Sequence, residues 1–202
     1  MNAFNKEYFF IMLPDDDRLP YLKPDDETNA KPYEWEILPI GGKPLTFYNA
    51  LDEDAKEGRI PPPISPPPDV LFDGVDLVVI DRIACKLREM EIPNLGIQSA
   101  VYIDHEDHRH ENYWFLTFTI KFACWDKKTS RYDPEPIPLH DDIPFYEVWA
   151  YSLDESLLQK TPLPERRLFK MGETLDGYIV AHQSIVDLFR VEGVDIVPIT
   201  DY

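Results

Sequence analysis

The sequence predicts an α+β fold: a mixed, mainly antiparallel sheet with two packed helices and a loop-rich, Pro-rich N-terminal part. Three observations predict it. Extended aromatic and β-branched runs recur, and in the longest Trp114, Leu116, Phe118, Ile120 and Phe122 alternate strictly with their neighbours. Two segments, 81–91 and 184–192, carry apolar residues at helical spacing. Before residue 69, prolines interrupt every helical period. The 202 residues include 11 Phe, 11 Tyr and 4 Trp, which excludes a fully disordered chain.

The elements follow in order. Lys6 to Leu13 reads as a strand closed by Pro14. From Pro14 to Asp69, Pro20, Pro24, Pro32, Pro39 and Pro44 leave only short extended pieces at 34–38 and 45–48. The run Pro61-Pro62-Pro63-Ile64-Ser65-Pro66-Pro67-Pro68 reads as a polyproline II strap. It marks the expected joint between an N-terminal segment, 1–68, and an α+β domain, 69–202. Val75 to Ile80 reads as a strand, and Asp81 as the cap of a helix to Glu91 with Ile83, Ala84, Leu87 and Met90 inward. Ile97–Ile103 and Asn112–Trp125 read as a hairpin around the charged turn 104–111, one face apolar and the other turning polar. A proline-rich loop, 133–144, precedes a strand at 146–151 and a short helix at 152–160. Tyr178–Ala181, the helix 184–192 and Val194–Ile199 close the chain. Residues 73–103 and 176–199 share one strand–helix–strand pattern, which places both helices on one sheet.

The net charge of −18, from 38 acidic and 20 basic residues, opposes nucleic acid and anionic membranes and suits a basic protein partner. No apolar run reaches the roughly 18 residues that span a bilayer. The first 13 residues lack the basic start of a signal peptide. Cys85 and Cys124 form no metal spacing and no disulfide framework, so a reducing, cytoplasmic setting is expected. Both cysteines read as core or edge packing, although Lys121, Lys127 and Lys128 near Cys124 are of the kind that lower a thiol pKa.

Motifs for catalysis are absent: there is no Gly-x-Ser-x-Gly, no phosphate loop and no dinucleotide fingerprint. No cofactor is expected. His105, His108 and His110 lie among four carboxylates, which opens the alternative of a metal-dependent enzyme. Their spacings of three and two do not match a helical His-Glu-x-x-His pair, so the turn reads as a charged hairpin tip without a metal. The strap offers another alternative, an adaptor read by a proline-binding domain. Acidic clusters recur at 15–17, 25–27, 52–54, 104–107 and 141–142. Asp104, Glu106, Asp107, Asp141 and Asp142 are the candidate partner-binding residues, with Tyr21, Tyr33, Trp35 and Tyr146 as aromatics suited to an interface.

The C-terminal third carries a resemblance. Tyr146-Glu147-Val148-Trp149 and Leu153-Asp154-Glu155-Ser156-Leu157 precede Arg167-Leu168-Phe169-Lys170-Met171. Tyr178-Ile179-Val180-Ala181-His182, Gly193 and Val194-Asp195-Ile196-Val197-Pro198-Ile199 follow. This order resembles immunity family eleven of bacterial polymorphic toxin systems, once catalogued as a domain of unknown function. The similarity extends over residues 66–202, and the first sixty residues depart from it. It implies a non-catalytic antidote that binds and blocks a cognate toxin in the cytoplasm of the producing cell, and the acidic balance suits a basic toxin.

Overall fold

The first strand, β1 (Tyr8–Met12), follows a 3-10 turn at Ala3–Lys6, and its residues find partners far along the sequence. The computed structural model describes residues 2–138 and 144–202. It divides into two compact units: one holds 1–12, 120–190 and 195–202, the other 13–119 and 191–194. The sheets are mixed and mostly antiparallel, and the fold is α+β. Among the described residues no helix is long and apolar enough to cross a membrane.

The second unit contains β2 (Leu22–Pro24), α1 (Asp26–Asn29), β3 (Leu45–Asn49), α2 (Asp52–Lys56), β4 (Val70–Asp73), β5 (Asp76–Ile80), α3 (Asp81–Glu89), β6 (Leu95–Ile103) and β7 (Arg109–Phe118). Its six strands run in the order β2-β3-β6-β7-β5-β4, and only β3–β6 is parallel. Tyr21, just before β2, bridges Phe72 of β4, so the two edge strands meet and the sheet curls towards closure. Register explains what fills the inside. Leu45 faces Ala100, Phe47 faces Tyr102, and Val78 faces Phe115, and these residues pack with Leu22, Leu71 and Tyr33. On the outer face α3 buries Ile83, Ala84 and Leu87. Asp81 is the first residue of α3 rather than its cap. Ile80 holds the cap position, and the Asp81 carboxylate accepts the Trp114 indole N–H while Arg88 stacks 3.9 Å over that ring.

The predicted hairpin is present as β6–β7. Its second strand is shorter than the 112–125 run predicts. It stops at Phe118 because its partner begins at Leu95, and Ile120 is 59% exposed. From Tyr113 to Phe118 both faces are covered: Tyr113, Phe115 and Thr117 are as buried as Leu116 and Phe118, and the second face becomes exposed beyond them, at Thr119 and Lys121. The strap at 61–68 lies inside this unit instead of joining two parts. The Pro68 carbonyl accepts the Tyr113 hydroxyl at 2.7 Å, and Gly193 at φ +80 leaves room for Leu19 and Pro68. The extended piece expected at 34–38 is a turn followed by irregular chain.

The first unit continues with β8 (Lys121–Phe122), β9 (Arg131–Tyr132), β10 (Val148–Ala150), α4 (Glu155–Lys160), β11 (Leu168–Met171), β12 (Ile179–His182) and β13 (Asp195–Pro198). β1 lies between β13 and β12, both antiparallel to it; β11 and β8 complete the sheet, and β9 pairs with β10 separately. Tyr8, Phe10, Phe169, Met171 and Val180 share one core with Cys124, Trp125, Leu153, Leu158 and Ile199. Asp154 caps α4 by accepting the Leu157 N–H at 3.0 Å.

The segment predicted as the second helix, 184–192, is a single 3-10 turn at Val186–Phe189. Its buried residues, Val186 and Phe189, stand three apart, the repeat of that tighter helix. The two similar strand–helix–strand segments therefore lie in different sheets and do not share one. Cys124 is fully buried and burial pushes its thiol up, whereas Cys85 is exposed on α3 and is not a core residue.

Candidate partner-binding surface

The acidic hairpin tip is built by Asp104. Its Oδ1 accepts the backbone N–H groups of Glu106 at 2.9 Å and His108 at 3.0 Å. Its Oδ2 lies 2.8 Å from His110 Nε2, and His110 stacks on Tyr102 with ring centres 5.7 Å apart. Burial raises the Asp104 pKa, but His110 and the two N–H groups outweigh it and hold the carboxyl at about 2. Asp107 takes φ 62, a left-handed conformation that Asp tolerates and that lets the turn close.

The five candidate residues therefore fall into three groups. Asp104 is turned inward, its side chain 10% exposed, and organises the turn. Glu106 and Asp107 are exposed at the tip. Asp141 and Asp142 lie outside the described residues. The three histidines do not converge on one point. His108 Nδ1 sits 3.5 Å from Asp104 and 3.4 Å from Glu106, His110 binds Asp104, and His105 lies near Asp52. Among the described residues no three His, Cys, Asp or Glu side chains are placed to hold a metal ion.

Three other acidic clusters have local work. Asp25 caps α1 by accepting the Thr28 N–H at 2.6 Å, and Asp52–Asp54 form the first turn of α2. Carboxylates at helix starts offset the unpaired N–H groups there. Asp16 in the first cluster holds Arg18 at 2.7 Å.

A second surface of this unit lies on the loop 33–43. Tyr33 is not an interface aromatic: it is 3% exposed, its hydroxyl donates to Asp73 at 2.7 Å, and its carbonyl accepts the Thr117 hydroxyl at 2.8 Å. Gln98 clamps the same loop, accepting the Leu38 N–H at 2.8 Å and donating to the Tyr33 carbonyl at 3.3 Å. Ile37 lies over Gly96 so closely that a Cβ there would stand 2.6 Å from its Cγ1. The loop is thus pinned from beneath and presents Trp35 at 57% exposure, Ile37 at 55% and Ile40 fully in solvent. Glu34 and Glu36 alternate with them and are exposed. Beside the loop opens a cleft of about 480 Å³ lined by Ile37, Ile40, Leu45, Ile97 and Trp114. At its rim Lys43 and Lys31 reach Glu27 at 2.9 and 3.5 Å.

Tyr21 is also exposed, and Tyr146 is half-buried among Trp125 and Tyr132. Sequence reasoning singled out Trp35 and missed Ile37, Ile40 and the cleft. The signal was available: acidic and apolar residues alternate from Glu34 to Ile37, in a stretch whose flanking prolines exclude a central strand. No family model matches the chain, and no curated protein matches it.

Proposed function

We propose that this chain is a non-catalytic immunity protein that binds and neutralises a cognate bacterial toxin domain in the cytoplasm. The observation that carries the reading is the loop 33–43, a pinned segment that holds an apolar patch in solvent inside a charged rim of Glu27, Glu34, Glu36, Lys31 and Lys43. Interfaces have this arrangement, with apolar and aromatic residues at the centre and charge around them. The net charge of −18 supports a basic partner, and so does the resemblance of residues 66–202 to an immunity family.

Within this proposal Trp35, Ile37 and Ile40 form the contact centre. Glu106 and Asp107, together with Asp141 and Asp142, add negative charge that attracts a basic partner, and Asp104 holds the tip in shape. The test uses the toxin domain encoded beside the gene for this chain. Trp35→Ala/Ile40→Ala is expected to weaken binding by about 2 kcal/mol or more, as for a central apolar anchor. Charge reversal of Glu106, Asp107, Asp141 and Asp142 to Lys is expected to slow association and to flatten its salt dependence. No binding by the wild-type chain would overturn the proposal; unchanged binding by the Trp35/Ile40 variant would move the contact elsewhere.

A further inference from the structure

Three side chains of the first unit, Glu7, His182 and Ser184, form a relay outside the surface described above. The antiparallel pairing of β1 with β12 sets Tyr8 opposite His182. The pairing continues one step further, where the Gln183 N–H donates to the Glu7 carbonyl at 2.6 Å. The His182 N–H donates to the Arg167 carbonyl at 2.9 Å, so the backbone on both sides of the imidazole is fixed. The ring is 7% exposed and lies edge-on to Tyr8, with ring centres 5.1 Å apart.

Both of its nitrogens are engaged. Nδ1 lies 2.9 Å from Ser184 Oγ and accepts the Ser184 backbone N–H at 3.1 Å. An acceptor at Nδ1 places the ring proton on Nε2, which faces Glu7 Oε2 at 3.4 Å. Ser184 is exposed, so a reagent reaches its hydroxyl from solvent. A hydroxyl on the lone pair of a neutral imidazole whose other nitrogen meets a carboxylate is the arrangement that activates a serine nucleophile.

We propose that Ser184 is a base-activated nucleophile that forms a covalent adduct with activated phosphoryl or acyl compounds. With diisopropyl fluorophosphate, Ser184 Oγ forms a bond to phosphorus, the phosphorus–fluorine bond breaks and fluoride leaves. The hydroxyl proton passes to the His182 Nδ1 lone pair, and the Ser184 backbone N–H gives up its bond to that nitrogen. Glu7 is a positioning residue: it orients Nε2–H and stabilises the imidazolium that results. Burial lowers the His182 pKa, Arg166 and Arg167 lower it further, and Glu7 opposes them, which keeps the ring in its basic form at neutral pH. Adduct formation is stoichiometric and stands independently of any binding of a toxin.

The test is labelling of the whole chain with diisopropyl fluorophosphate, followed over time by mass spectrometry of its peptides. Ser156, exposed on α4 and without a hydrogen bond to an imidazole among the described residues, is the internal control. Ser184 is expected to label roughly a hundredfold faster than Ser156, the lower end of general-base assistance, and to lose that lead in urea. His182→Gln, checked by circular dichroism, is expected to remove the lead. Glu7→Gln is expected to lower the rate and to move its pH inflection downward, because the imidazolium loses its carboxylate; a merely structural Glu7 would leave the inflection in place. Equal labelling of Ser184 and Ser156 in the native wild-type chain overturns the proposal. If His182→Gln does not fold, a native rate and inflection in Glu7→Gln overturns the relay.

Discussion

Asp104 accepts two backbone N–H groups and faces His110, all from within six residues, and its charge serves the turn before it can serve a partner. Its carboxyl is held at about 2, below an ordinary value of 3.8. A depressed carboxyl adds stability that is complete above the unfolded value and is lost as pH falls through the folded one. Asp104→Ala is therefore expected to cost about 1.5 kcal/mol at pH 7, the lower end for hydrogen bonds to a charged group. Urea titrations of both chains should converge as pH drops from about 4 towards 2; a gap that stays constant over that window would refute the linkage. Burial gives a second residue-scale expectation. Phe118 and Phe189 are 4% and 0% exposed, and truncation of either to Ala should cost roughly 3–5 kcal/mol. Ile120→Ala, in the same alternating run, should change stability by less than about 0.5 kcal/mol. The sequence showed that Phe118 and Ile120 share a period, but only the start of β6 at Leu95 decides which has a partner.

At the scale of elements, legibility follows locality. The β6–β7 hairpin and α3 depend on residues close in sequence, and alternation and helical spacing revealed both. The second helix failed because Val186 and Phe189 fit a 3-10 turn as well as an α-helix. The relay of Glu7 with His182 carried no local signal at all, since register between distant strands brings the two together. The closing strand was legible, and its role is now specific. Val197 pairs with Phe10, Ile199 is fully buried, and Tyr202 packs on Phe10 and Tyr151 with ring centres 5.1 and 5.3 Å apart. Deletion of residues 198–202 is expected to destabilise the first unit by more than about 3 kcal/mol. An unchanged melting temperature in calorimetry would show that these contacts do not hold it.

For the whole molecule, the two units differ in how the chain supplies them. The second is almost one continuous stretch, 13–119, whereas the first needs three separate pieces. Closing long loops costs entropy before distant contacts compensate, so local pairings form first. In pulsed hydrogen exchange during refolding, amides of β6 and β7 are expected to gain protection before those of β1. Simultaneous protection, or β1 first, would contradict this order. The same topology hid the unit boundary from the sequence, since the alternating run passes through it without a break at Thr119.

The central position of β1 also bears on chains that are never finished. Its neighbours on both sides, 179–182 and 195–198, are made long after it. Until they exist, Tyr8-Phe9-Phe10-Ile11-Met12 stands with both edges bare: five apolar residues with neither charge nor proline among them. A ribosome stalled before residue 179 would therefore leave a product in which this segment is adhesive. Cellular clearance of such fragments, by chaperone capture or proteolysis, would have that segment as its handle.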